Sequence, residues 1–224
     1  MTKVRFLLAL TLVAACISVV FLTDIPAFLK YKKGDIKDYG TVAAGELKKG
    51  DLVRGTVDMT LGPCAEEYTT NYGVRTSDKS SKLYYVLWMP NRQLILYETS
   101  SSAEYALLDK MADETYNYFE TLDEGIELGD MAGVALPTTT LELEGRVTEM
   151  SSEISGYFKS MYDQIFDDND FANTAEPVMI THVALRRLGM LVIIGAACAV
   201  LAIALLVVTI IVWRKEKYNS QYSY

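Results

Sequence analysis

The side chains that could carry chemistry in this sequence fall in a few places. Asp163, Asp167, Asp168 and Asp170 crowd around Asn169, and oxygen donors of this kind suit Ca²⁺. The spaced D-x-[DN]-x-[DN]-G order with its distal glutamate is missing, so these acids read first as a solvated loop. The expectation is therefore no cofactor, with Ca²⁺ held by these four aspartates as the alternative. Glu66 and Glu67 are the only adjacent glutamates, and a hydrolytic pair would need two carboxylates converging in one cleft. His182 is the single histidine, with no G-x-S-x-G elbow to serve, so a Ser–His or Cys–His pair would have to form just before an apolar run. One histidine and one cysteine outside the apolar ends, Cys64, cannot build a tetrahedral metal centre. Glycines are scattered without a phosphate-cradling loop. These readings predict no catalytic residues and a protein that is not an enzyme.

Charge is divided sharply along the chain. Residues 24–97 hold 11 Lys or Arg against 9 Asp or Glu, whereas 98–176 hold 3 against 19. So negative a segment repels nucleic acid and anionic headgroups, which excludes nucleic acid as a partner and favours cations or basic partners. The plainer reading is that the acids solvate the outward faces of helices.

The elements that must position these residues can be read from periodicity. From Leu52 to Leu61 apolar and polar residues alternate, predicting a half-buried strand bounded by Lys49-Gly50-Asp51 and Gly62-Pro63, with Glu66 and Glu67 in the following loop. Leu83–Met89 and Leu94–Tyr97 flank Pro90-Asn91-Arg92-Gln93, a hairpin with a type I turn. Ser101-Ser102-Ala103-Glu104 offers a capping box, followed by Leu108, Met111, Ala112, Thr115, Phe119 and Leu122 on one helical face, ending in the stretch Asp123–Pro137. Leu141, Leu143, Gly145 and Val147 alternate as another strand. A second amphipathic helix carries Ile154, Tyr157, Phe158, Met161 and Ile165, capped by Ser151 or Ser152. Residues Val178–Leu185 form a last strand or extend a following helix. Gly55-Thr56-Val57 and Gly145-Arg146-Val147 are alike, a short echo that strand alternation alone explains as well as a repeat does. The fold class is α+β: a small mixed or antiparallel sheet covered by two amphipathic helices on one side.

Both ends of the chain are apolar. Phe6–Leu22 gives 17 residues without a charge and Leu188–Trp213 gives 26, against the roughly 20 that span a bilayer core. The second run ends at Trp213 and is followed by Arg214, Lys215 and Lys217, a stop-transfer pattern. The first shares its basic start with cleaved signal peptides, and Val13-Ala14-Ala15-Cys16 resembles a lipoprotein cleavage box. The apolar residues after Cys16 favour an uncleaved anchor. All three readings export the middle of the chain. Flanking charges tie at five basic residues on each side, but long loops translocate regardless of charge, which puts 24–187 outside. The resulting layout is a cytoplasmic start (1–5), a first transmembrane helix (6–23), an extracytoplasmic α+β domain (24–187), a second transmembrane helix (188–213) and a cytoplasmic tail (214–224). The exported part holds one cysteine and so no internal disulfide, which leans towards a Gram-positive or anaerobic bacterium. Gly195 and Ala199 form a small-x-x-x-small pair in the second run, suited to helix pairing with Ala14, Ala15 and Ser18 or between copies as a homo-oligomer.

The stretch from Lys48 to Val57 (KKGDLVRGTV), the strand Tyr84-Tyr85-Val86 and the closing apolar helix with its basic tail resemble an uncharacterised family of two-pass membrane proteins from Firmicutes-type bacteria, a domain of unknown function. The resemblance covers most of the chain and implies no activity and no site residues. At fold level the layout is also similar to domains held beside a membrane between two anchors, as in a mitochondrial ubiquitin-ligase family, although the RING of that family is missing. The partners expected are the lipid bilayer and a protein or envelope component bound by a non-catalytic scaffold domain. The alternatives are a membrane-tethered hydrolase using paired carboxylates and an accessory subunit of a transporter or secretion complex.

Overall fold

A computed structural model describes residues 2–71, 74–75, 80–128, 134–166 and 170–221. In chain order its helices are α1 (Thr2–Leu22), α2 (Ile25–Lys33), α3 (Ser102–Leu128), α4 (Ser152–Ile165), α5 (Phe171–Thr174) and α6 (Leu188–Gln221). Its strands are β1 (Lys37–Asp38), β2 (Leu52–Val57), β3 (Thr60–Glu67), β4 (Thr70–Asn71), β5 (Val74–Arg75), β6 (Lys82–Trp88), β7 (Leu94–Thr99), β8 (Leu141–Glu149) and β9 (Ala175–His182). The chain divides into two compact units, one made of Met1–Gly34 with Ala184–Tyr224 and the other of Asp35–Val183.

In the first unit α1 packs along α6, and both are long and apolar enough to cross a membrane. Gly195, Ala202 and Thr209 are buried at a spacing of seven on α6, and Ala14 and Ser18 are buried on α1. Small residues at heptad spacing let two helices approach closely over a long seam. Thr11 and Thr209 return their hydroxyls to the carbonyls of Leu7 and Leu205, at 2.8 and 2.7 Å, so neither leaves an unpaired donor. Leu8, Val13, Val20, Val200, Ile203 and Ile211 are exposed, an apolar exterior that suits lipid rather than water. A Cβ on Gly195 would stand 2.9 Å from the Cβ of Phe21. Gly195→Ile should force the seam apart at a cost of about 1–3 kcal/mol, read as a lower melting midpoint of the full chain in detergent. An unchanged midpoint would mean that the helices are held elsewhere.

The second unit is built on one seven-stranded mixed sheet, ordered β1-β2-β8-β9-β7-β6-β3. β1–β2 and β7–β9 pair in parallel and the remaining neighbours antiparallel. Successive strand residues point to opposite faces, and here both faces are covered. Tyr85, Leu87, Ile95, Tyr97, Val147 and Ile180 pack with Leu108 and Met111 of α3. Tyr84, Val86, Leu94, Leu96 and Met179 pack with Phe158 and Tyr162 of α4. The expectation of two helices on one side is thus corrected: each face receives one helix, because β6 and β7 are apolar on both of their sides.

Other boundaries move for local reasons. The alternation from Leu52 to Leu61 is divided between β2 and β3, and Gly62 and Pro63 lie inside β3, where the register slips twice. Gly62 has φ +98°, which glycine alone adopts freely, and Pro63 is tolerated because β3 is the edge strand. Glu66 and Glu67 consequently sit in a strand, not a loop. α3 runs on to Leu128, past the predicted break at Asp123. Residues 175–182 form β9, in the middle of the sheet. Ser151 caps α4 by accepting from the Ile154 amide at 3.2 Å.

Candidate binding groove

Of the residues singled out by type, Cys64, Glu66 and Glu67 line one depression beside Tyr84 and Tyr157, and the others do not gather. Asp163 pairs with Lys159 Nζ at 2.6 Å, one helical turn away. Asp170 accepts from Asn173 Nδ2 at 2.6 Å at the start of α5, while Asp167 and Asp168 lie outside the described residues. Glu66 and Glu67, adjacent in β3, leave the sheet on opposite faces. Glu66 accepts from Tyr68 and Ser80, and Glu67 from Tyr84 at 3.2 Å beside Lys82. The Cys64 thiol is pushed up to about 12 by burial, which leaves it un-ionised at neutral pH. Gly195 faces Phe21 of α1, and Ala199 is half-buried one turn further along.

An ionisable cluster assembles around Glu104. Its Oε2 accepts from Thr99 Oγ1 at 2.6 Å and from the Tyr97 hydroxyl at 2.9 Å. His182 Nδ1 lies 3.0 Å from Glu104 Oε1 and 2.8 Å from the Tyr97 hydroxyl. Burial pushes the Glu104 carboxyl up, but the hydrogen bonds from His182, Thr99 and Tyr97 outweigh it and hold the group below its ordinary value. Burial and the neighbouring Glu104 carboxylate raise the Tyr97 phenol far above its own. Glu104 is therefore not the reciprocal half of a capping box. Its carboxylate ties the first turn of α3 to β7 and β9, and the Ser101 amide turns to Thr99 Oγ1 at 3.1 Å. Glu114, further along α3, likewise binds the amides of Thr138 and Thr139, both at 2.8 Å. These bonds and the Thr139 hydroxyl hold its carboxyl down at about 2.

A different kind of site lies at the β3 side of the sheet, where elements from its two faces meet. Thr115 Oγ1 of α3 accepts from the Thr60 amide at 3.3 Å, which seats the helix against β3. One turn on, the Phe119 ring stands 5.5 Å from that of Trp88, and Phe166, just past α4, stands 6.0 Å from it on another side. Leu61, Tyr116 and Ile165 complete a cavity of about 440 Å³, with Asp123 at its mouth. Tyr116 is 73% exposed and Ile165 47%, so large apolar side chains here face outward although the unit has a well-filled core. A second depression, of about 330 Å³, shares Tyr116, Phe119 and Asp123 and is walled by Glu120 and Glu127. Such dimensions suit a small ligand or a few side chains, with an apolar floor for affinity and charge at the rim for orientation. Nothing in the local sequence announces this groove: Trp88, Phe119 and Phe166 are distant in the chain, and only strand order and helix placement bring them together.

The family model described as Domain of unknown function (DUF8577) matches residues 1–213. The chain belongs to the DUF8577 family. The match runs through both apolar helices and the whole sheet domain, so the family is defined by the two units together. No curated protein and no solved structure matches the chain.

Proposed function

We propose that this member of the DUF8577 family is a two-pass protein of a bacterial cell membrane whose sheet domain is a non-catalytic binding module on the extracytoplasmic side. The observation that carries this reading is the open aromatic groove around Trp88, Phe119 and Phe166. Its wall is held in place: Trp88 lies between the buried Leu87 and Met89, and α3 is anchored at its start by Glu104. Preorganised apolar surface of this kind favours association because little side-chain freedom is lost on binding. The apolar exterior of α1 and α6 supports anchoring in a bilayer, and the length of the segment between them supports its translocation.

Two measurements test the proposal. A photoreactive phenylalanine analogue placed at Tyr116 in living cells should give a recurrent protein adduct. The same analogue at Lys49, which is exposed on another strand connection, should not. Absence of a recurrent adduct at Tyr116 would remove the groove as a binding surface. Protease added to protoplasts should degrade the sheet domain. Protection until lysis would invert the orientation.

A further inference from the structure

We propose that the groove takes a basic polypeptide segment, with an apolar side chain seated on Trp88 and lysines or arginines along the outer face of α3. The inference rests on the binding reading above and adds the chemistry of the partner.

Charge complementarity is the first argument. Glu120, Asp123 and Glu127 follow one another at spacings of three and four on α3, and all three are exposed beside the aromatic floor. None of their three carboxylates has a hydrogen bond or an ion pair among the described residues. This sets them apart from Glu104, Glu114 and Asp163, whose carboxylates are engaged within the domain. The surrounding chain supplies little positive charge, with 3 Lys or Arg between residues 98 and 176. A row of unanswered carboxylates alone is a solvated helix face. Alongside an open apolar cavity it becomes half of a complementary surface, attracting a cation and penalising an acidic competitor.

The length of the row decides between a polypeptide and a small organic cation. Glu120 and Glu127 are seven residues apart, or about 10 Å along the helix axis at 1.5 Å per residue. One quaternary ammonium group can reach two neighbouring carboxylates but not Glu120 and Glu127 together. A chain in the polyproline II conformation rises about 3.1 Å per residue with three residues per turn, so side chains three apart lie on one face about 9 Å from each other, and two basic side chains flanking an apolar pair match the row.

The test uses the full chain in uncharged detergent carrying Trp213→Phe, which leaves Trp88 as the only indole, since the sequence has 2 tryptophans. The probes are the terminally blocked hexapeptide Ala-Lys-Phe-Leu-Lys-Ala, its counterpart with glutamates for both lysines, and tetrapropylammonium chloride. The lysine peptide is expected to shift Trp88 emission saturably and the glutamate peptide to bind at least about tenfold more weakly. Combining Glu120→Gln, Asp123→Asn and Glu127→Gln should weaken the lysine peptide about tenfold, with the melting midpoint unchanged because all three side chains are exposed. Added salt should weaken it in the same sense. Equal binding of the two peptides, or no effect of the triple variant, overturns the basic partner while leaving the groove as a binding surface. A response to tetrapropylammonium without one to the lysine peptide assigns the groove to a small organic cation and overturns the proposal. Silence of all three probes overturns it too, and the adduct at Tyr116 then tells whether the groove reading survives.

Discussion

Gly145→Val is expected to abolish cooperative folding of the sheet domain, or to leave it melting far below the native chain. Gly145 lies in β8, opposite Val53 of β2 on one side and His182 of β9 on the other. A Cβ built there would stand 2.4 Å from Ile180 Cγ2 and 2.8 Å from the Thr181 carbonyl oxygen. Ile180 is fully buried and cannot swing away, and the Thr181 carbonyl is backbone in a central strand. Overpacking a core ordinarily costs about 1–3 kcal/mol. A clash that must move backbone as well as a β-branched side chain belongs at or above the top of that range, about 3–4 kcal/mol. Against a total stability of about 5–15 kcal/mol the loss is severe. Gly156 provides the contrast: it lies in α4 with nothing within 4 Å of an added Cβ, so Gly156→Ala should be neutral or stabilising by up to about 1 kcal/mol. Urea or thermal melts of the full chain in detergent would read both. A Gly145→Val midpoint within a degree or two of the native one would contradict the packing described for β8 and β9.

The second large effect belongs to Glu104. Glu104→Ala removes the acceptor shared by Thr99 and Tyr97 and the partner of His182, leaving a largely buried phenol without that bond. With the carboxylate side chain only 13% exposed, the expected cost is about 3 kcal/mol. The same group sets a pH dependence with a definite sign. Its carboxyl is held below the ordinary value near 4.5, so the folded state prefers the ionised form more than the unfolded chain does. Its contribution is complete above that ordinary value and drains away as the pH falls through the lower, folded one. The native chain should therefore lose stability steeply below about pH 4.5, and Glu104→Gln should be less stable at neutral pH yet flatter across the acid range. Identical acid profiles for the two proteins would remove Glu104 from this role.

Local pattern disclosed some of this and hid the rest. The face Leu108, Met111, Ala112, Thr115, Phe119 and Leu122 is legible by helical spacing, and Ser151 is legible as a cap, because both are decided within a few residues. Placement of α3 and α4 on opposite faces depends on long-range pairing. Even so, the sequence carried a sign of it: Leu83–Trp88 and Leu94–Tyr97 are apolar without alternation, the mark of strands covered twice. Glu104 fits a capping box by spacing, yet tertiary partners from β7 and β9 take its carboxylate. The similarity of Gly55 and Gly145 has a physical counterpart. An added Cβ would meet Tyr39 Cβ at 2.8 Å in one case and Ile180 in the other, so each strand needs a missing side chain where another segment crosses. Of the groove, neither part is readable in advance: the predicted break at Asp123 leaves Glu127 outside the helix, and the aromatic rings come from distant segments of the chain.

The position of β9 has a consequence for how the molecule is made. Two ribbons, β1-β2-β8 and β7-β6-β3, have no direct hydrogen bonds to each other in the strand order, and β9 joins them. The joining piece is the last strand among the described residues to leave the ribosome, and α6 follows it almost at once. Until it arrives, β8 and β7 each offer an unsatisfied rim, the kind of edge that invites pairing with a stranger. Completion of the sheet and delivery of the second apolar helix are thereby compressed into the same late moment of biogenesis, and a nascent chain arrested ahead of Ala175 would be two sticky half-sheets rather than a smaller domain.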